Sequence, residues 1–119
     1  MDDTTEAPLL VACLCAEWCG TCRDYRAVLA DAEARFGADA AFGWIDIEDE
    51  PDVQGALDIE TFPTVLVARG DDVLFYGPLT PQASVLLRTI EKALAGDLAP
   101  VRDAALAGLA QRARDVLAA

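Results

Sequence analysis

The chain has 119 residues, a formal net charge of −12, no histidine and a hydrophobic content of 54%. That length builds one domain with a core of its own, and the acidic balance argues against nucleic acid, whose phosphates need Lys and Arg. The lack of histidine excludes His-based metal sites and Ser-His or Cys-His catalysis, and no apolar stretch approaches the ~20 residues of a membrane span.

The first residues, Met1-Asp2-Asp3-Thr4-Thr5-Glu6, are acidic where a secretory leader is basic, so a cytoplasmic chain that keeps them is expected. Leu9 to Cys15 is a short apolar run without polar alternation, the pattern of a strand buried on both faces. A helix is predicted from Cys19 to Phe36, with Tyr25, Val28, Leu29, Ala32 and Phe36 on its inner face and Gly37 as its stop. Asp31 and Arg35 are spaced for an exposed i,i+4 pair on that helix. Ala40 to Ile47 forms the second strand. The acidic turn Glu48-Asp49-Glu50 leads to a short helix opened by Pro51, with Val53, Ala56 and Leu57 inward. Pro63 to Ala68 and Val73 to Tyr76 are the third and fourth strands, joined by the turn Arg69-Gly70-Asp71-Asp72. Thr80 is placed to cap a helix with Pro81 in its first position, buried through Ala83, Leu86, Leu87, Ile90 and Leu94 and ended by Gly96. A last amphipathic helix is predicted over about 100–118, with Leu106, Leu109, Ala110, Ala113, Val116 and Leu117 as its apolar stripe.

That order describes a single α/β domain over 1–119: a core of about 9–95 holding a four-stranded mixed sheet with helices on both faces, and an extra C-terminal helix. The first two strands are joined by a right-handed crossover.

The chemistry concentrates in Ala16-Glu17-Trp18-Cys19-Gly20-Thr21-Cys22-Arg23. Two thiols separated by two residues at the start of a helix can close into a disulfide and reopen with little backbone movement. A helix N-terminus favours negative charge, which lowers the pKa of Cys19, and Cys22, three residues deeper, faces the interior. Forty-one residues after Cys22, Pro63 opens another apolar strand within Thr61-Phe62-Pro63-Thr64.

All four cysteines fall within ten positions, and in a reducing compartment a structural disulfide framework is not expected. Cys13 and Cys15 lie on one face of their strand. They are expected to act as small buried hydrophobes, against a redox role such as a second disulfide or an internal relay to Cys22. A compact four-cysteine zinc or iron–sulfur site is the other alternative for the set.

Trp18-Cys19-Gly20-Thr21-Cys22 between strand and helix, with Phe62-Pro63-Thr64 opening the third strand, resembles the thioredoxin family. The resemblance covers roughly Leu9 to Leu94. It implies a thioredoxin-like fold and a thiol–disulfide oxidoreductase in which Cys19 attacks a substrate disulfide and Cys22 resolves the mixed disulfide. It also implies that Pro63 is cis and, with Phe62, forms the wall on which substrate backbone docks. Gly20 and Thr21 set the turn between the two thiols, Trp18 shields the site and offers a flat apolar docking surface, and Gly77 gives substrate room to approach. Protein disulfides are the implied partners, with electrons from a thioredoxin-reductase-like flavoprotein or from glutathione. No metal or organic cofactor, nucleic acid or membrane partner is implied, and a monomer is expected. The alternative is a thioredoxin-fold binding or redox-sensing module with little turnover.

The chain departs from the family pattern in four ways. The site reads Cys-Gly-Thr-Cys where the commonest members have Cys-Gly-Pro-Cys. Cys13 stands where a buried aspartate is usual, and Trp44 where its neighbouring lysine falls, which leaves Cys22 without an obvious proton acceptor. Only eight residues precede the first strand, where the family has an extra strand and helix. The C-terminal helix is therefore expected to cover the face shared with the Pro51 helix, a homodimer being the alternative.

Overall fold

The computed structural model describes residues 9–16, 20–47, 49, 53, 63–70, 72–79, 82–103, 106 and 108–118. Four strands, β1 (Leu9–Cys15), β2 (Ala40–Asp46), β3 (Thr64–Arg69) and β4 (Asp72–Pro78), form one sheet in the order β2-β1-β3-β4. β1 runs parallel to β2 and antiparallel to β3, and β3 is antiparallel to β4. The helices are α1 (Gly20–Phe36), α2 (Ala83–Leu94) and α3 (Leu109–Ala118). This is the mixed α/β sheet the sequence predicts.

Every residue of β1 is buried, as an apolar strand in the middle of a sheet covered on both faces must be. Its period-two alternation divides the core. Leu9, Val11, Cys13 and Cys15 join Tyr25, Leu29, Ala32 and Phe36 of α1 and Leu86, Ile90 and Ala93 of α2. Leu10, Ala12 and Leu14 point the other way, into a cluster with Ile45, Val53, Leu66, Leu106, Leu109, Ala110 and Ala113.

The second cluster is roofed by α3, which lies on the face that also holds Val53. Arg112 Nε donates to the Val53 carbonyl at 3.1 Å and Arg114 Nη1 to the Gly70 carbonyl at 2.6 Å. Leu117 occupies the space a Cβ at Gly43 of β2 would need, so the glycine lets the last turn of α3 settle on the sheet. Pro51, Ala56 and Leu57 of the short helix lie outside the described residues; Val53 is helical and buried.

Three local expectations are corrected. The C-terminal helix begins at Leu109 rather than near residue 100. Gly108 takes the left-handed conformation (φ 77°), which a continuing helix cannot contain, and its carbonyl accepts the Arg112 N–H at 2.9 Å. Upstream of it, the Val101 N–H donates to the Val73 carbonyl of β4 at 2.7 Å. The helix expected to start at Pro81 starts at Ala83, after an extended Gln82 that makes no side-chain cap bond; Thr80 and Pro81 lie outside the described residues. Arg35 pairs with Glu91 of α2 at 2.9 Å rather than along α1 with Asp31. Both partners are half exposed, so this bridge ties the two helices only weakly. The other end of α2 is as predicted. Gly96 is left-handed (φ 80°), and the Asp97 and Gly96 N–H groups close on the Lys92 and Ala93 carbonyls. Among the described residues, no helix is long and apolar enough to cross a membrane.

Candidate active site

The C-terminal end of β1 meets the first turn of α1, and three sulfurs converge there. Cys15 is the last residue of β1 and points toward α1; Cys22 lies in the first turn of α1 and points down onto the sheet. The two are joined in a disulfide, with their Cα atoms 5.9 Å apart, within the usual span of such bonds. Cys13, two residues back along the strand, shares the face of Cys15 because side chains repeat every second residue. Its Sγ lies 3.5 Å from that of Cys15 and is a free thiol. All three residues are 0% exposed, so no external thiol reaches them while the chain is folded.

This corrects the reading of Cys15 as a passive hydrophobe: it is bonded, and bonded to Cys22. Cys22 has one sulfur, so a bond to Cys15 and the expected bond to Cys19 are mutually exclusive. Cys19, with Trp18, lies outside the described residues, as do Phe62 and the side chain of Thr21. Gly20 is the exposed first residue of α1, and among the described residues a Cβ there would meet only Arg23, at 3.7 Å.

Pro63 is buried, and its carbonyl accepts the Leu79 N–H at 3.3 Å. The β1–β3 register pairs Leu14 with Thr64, which carries Pro63 one step further, to the end of β1 where Cys15 sits. One row of the sheet runs from Trp44 through Cys13 and Val65 to Gly77. Gly77 is buried, and among the described residues a Cβ on it would touch only the Phe75 ring, at 3.8 Å. Pro63 thus lies beside Cys15 at the end of β1, and Gly77 in the sheet row of Cys13.

The electrostatics centre on Cys13. Burial disfavours its thiolate and pushes its pKa from 9.0 to about 12, with the Arg26 charge opposing the shift. Arg26 itself lies over the Trp44 ring, 4.1 Å from its centroid. Tyr25 shares the inner face of α1 with Cys22, one turn on. Burial raises its pKa, and the negative charge of a Cys13 thiolate raises it further. Its hydroxyl finds no hydrogen-bond partner among the described residues. Alternation along β1 and the i,i+3 spacing of Cys22 and Tyr25 are signals in the sequence that could have found this cluster.

The Cys13 shift has a sign that can be tested. Above pH 9 the unfolded chain releases this proton while the folded chain holds it, so the folded state binds more protons and stability falls as pH rises. The contribution is complete below pH 9 and is lost progressively toward pH 12, about 4 kcal/mol at 1.36 per pH unit. Urea unfolding of wild-type and Cys13→Ala protein from pH 8 to 10.5 checks this. The variant should lose stability less steeply, and parallel slopes would contradict the buried neutral thiol.

Comparison with known proteins places this geometry. The family model described as Thioredoxin matches residues 3–91. The chain belongs to the thioredoxin family. It is 33% identical over 89 residues to "Putative thioredoxin 2" of Streptomyces coelicolor, covering 75% of this chain and 66% of that protein. Over 62 residues it is 36% identical to Thioredoxin H2-2 of Oryza sativa subsp. japonica, 52% of this chain and 46% of the relative. The chain thus spans about half to two thirds of the length of these thioredoxins. Among solved structures, thioredoxin from Trypanosoma brucei brucei superposes with a TM-score of 0.66 at 20% identity, over 76% of this chain and 78% of that one. At that identity the likeness speaks for the thioredoxin fold alone. Within that fold, the Cys15–Cys22 bond of this chain joins the end of β1 to the first turn of α1.

Proposed function

We propose that this thioredoxin-family chain is a thiol–disulfide oxidoreductase acting on protein disulfides through Cys19 and Cys22. The Cys19 thiolate attacks one sulfur of a substrate disulfide and releases the first substrate thiolate. Cys22 then attacks Cys19, releases the second, and leaves a Cys19–Cys22 disulfide. Two electrons pass from the protein dithiol to the substrate. Trp18, Gly20, Thr21, Phe62, Pro63 and Gly77 make the docking surface in this reading. The observation that carries it is the match to the thioredoxin family model over residues 3–91, within which Cys22 stands in the first turn of α1. Reduction by a thioredoxin-reductase-like flavoprotein or by glutathione, and a cytoplasmic location, belong to the same proposal.

The Cys15–Cys22 bond favours a second reading, a redox-sensing or binding module. While that bond is closed, Cys19 has no partner with which to resolve a mixed disulfide. Insulin reduction with dithiothreitol as electron donor decides between the two. The oxidoreductase should accelerate precipitation of the insulin B chain, and Cys19→Ser should return the rate to the background of dithiothreitol alone. A Cys19→Ser protein as fast as wild type would remove Cys19 from the mechanism.

A further inference from the structure

The bonded pair Cys15–Cys22 has a third sulfur against it, and no solvent around it. We propose that Cys13 is a relay thiol that attacks Cys15 within the Cys15–Cys22 disulfide and sets Cys22 free. The inference deepens the oxidoreductase reading, since Cys22 is the resolving thiol there, but its chemistry and its test need neither Cys19 nor a substrate.

Thiol–disulfide exchange requires a thiolate in contact with one sulfur of the bond it breaks. Cys13 Sγ is 3.5 Å from Cys15 Sγ, which is van der Waals contact between sulfurs. Among the described residues Cys13 is the one free thiol. Every sulfur of the trio is buried, so a reductant in solution cannot take the part of Cys13 without opening the fold. The step is an exchange without net oxidation. A Cys13–Cys15 bond forms, the Cys15–Cys22 bond breaks, and Cys22 leaves with the electron pair. The proton given up by Cys13 ends on Cys22. The Arg26 charge favours the Cys13 thiolate, and the Tyr25 hydroxyl, which has no hydrogen-bond partner among the described residues, lies within the field of that thiolate.

The equilibrium position follows from strand geometry. Residues i and i+2 of a strand are about 6.4–6.8 Å apart at Cα, the upper end of the span a disulfide tolerates. The Cys15–Cys22 pair, at 5.9 Å, sits inside that span. The strand-bound Cys13–Cys15 form is therefore the minor partner, populated transiently and able to return its bond to Cys22. In function this makes Cys15 and Cys13 an internal store for one disulfide. The store lets Cys22 be occupied and released without a second protein.

The test uses full-length Cys19→Ser protein, which retains Cys13, Cys15 and Cys22. It is oxidised at pH 5, stepped to pH 7, 8 or 9, quenched in acid at intervals, denatured, and alkylated below pH 5 with N-ethylmaleimide. Fragmentation mass spectrometry then locates the label. The relay predicts that label moves from Cys13 toward Cys22 with a first-order rate independent of protein concentration. The rate should rise about tenfold per pH unit, as the thiolate fraction does below its pKa. Oxidised protein lacking both Cys13 and Cys19 should show no free thiol at all. Label that stays on Cys13 at every pH, with less than about one part in a hundred on Cys22, overturns the proposal. So does migration whose rate scales with protein concentration, since that is exchange between molecules. Loss of insulin reduction in Cys19→Ser bears only on the oxidoreductase reading and leaves this result to stand or fall alone.

Discussion

Cys22→Ser protein should take up one substrate disulfide and stop. Cys19 can still attack, but the mixed disulfide it forms has lost the thiol one helical turn away that releases the product. Resolution then depends on a thiol arriving from solution, and the loss of the intramolecular advantage lowers turnover on the order of a thousandfold. The adduct should accumulate and be visible as a mass shift on non-reducing analysis, discharged by added dithiothreitol. The same variant also frees Cys15, because the bond it makes in this structure is to Cys22. If buried Cys15 could resolve Cys19 directly, Cys22→Ser would turn over near the wild-type rate with no adduct. That outcome would remove Cys22 from the resolving role. Cys15→Ser is the companion variant. It removes the competitor for Cys22 and should leave insulin reduction at or above the wild-type rate.

Leu109→Asp should unfold the chain or bring it close to unfolding. Leu109 opens α3 and is 0% exposed, packed in the cluster with Leu14, Ile45, Leu66 and Ala113. A carboxylate there would stand among apolar side chains, with the neighbouring Arg112 guanidinium already donating to the Val53 carbonyl. Keeping it ionised or protonating it, together with the loss of apolar contact, costs about 4 kcal/mol or more. That is much of the 5–15 kcal/mol a domain of this size has to lose. The expected result is a urea midpoint shifted strongly downward, or a protein already lacking a cooperative transition. Leu109→Met, which keeps the volume, should cost less than ~1.5 kcal/mol. An aspartate variant as stable as wild type would show that α3 contributes nothing to the covered face.

The elements that could be read from the sequence are those whose periodicity and burial agree. The β1 run is apolar throughout, and every residue of it is buried. The α1 stripe Tyr25, Leu29, Ala32 and Phe36 is buried, with Val28 at its margin. The split of the apolar residues of β1 between two faces follows from alternation alone. Boundaries were less legible because they depend on single-residue backbone choices. Gly108 looks from sequence like a tolerable helix interior, since the stripe continues on either side of it. Its left-handed conformation nevertheless sets the start of α3. Arg35 has a sequence-local partner in Asp31 and a spatial one in Glu91, and the helix packing chose the second.

At the site, the CxxC spacing directs attention to Cys19 and Cys22, and local spacing cannot show a cross-element bond. The pairing of Cys22 with Cys15 depends on how α1 sits over the end of β1. It is a matter of helix docking, to which a motif search is blind. The clue that Cys13 and Cys15 share a face was present, yet a buried cysteine and a reacting one look alike until the neighbouring helix is in place. Cys13 and Trp44, in place of the family's aspartate and lysine, imply an altered proton economy. The structure gives that change its form: a buried thiol at one position, and at the other an indole under the Arg26 guanidinium.

The alternation along β1 has one more consequence. Odd-numbered residues of that strand serve the sulfur chemistry and even-numbered residues serve the packing of α3, with only a peptide's thickness between them. The two layers can therefore be varied separately: a laboratory or a lineage could retune the roof at Leu10, Ala12 and Leu14 without touching a thiol. A frameshift of pairing is another matter. Slipping this one strand by a single position would turn Cys13 and Cys15 away from Cys22 and into the opposite layer, so loss of chemistry and loss of stability would arrive together.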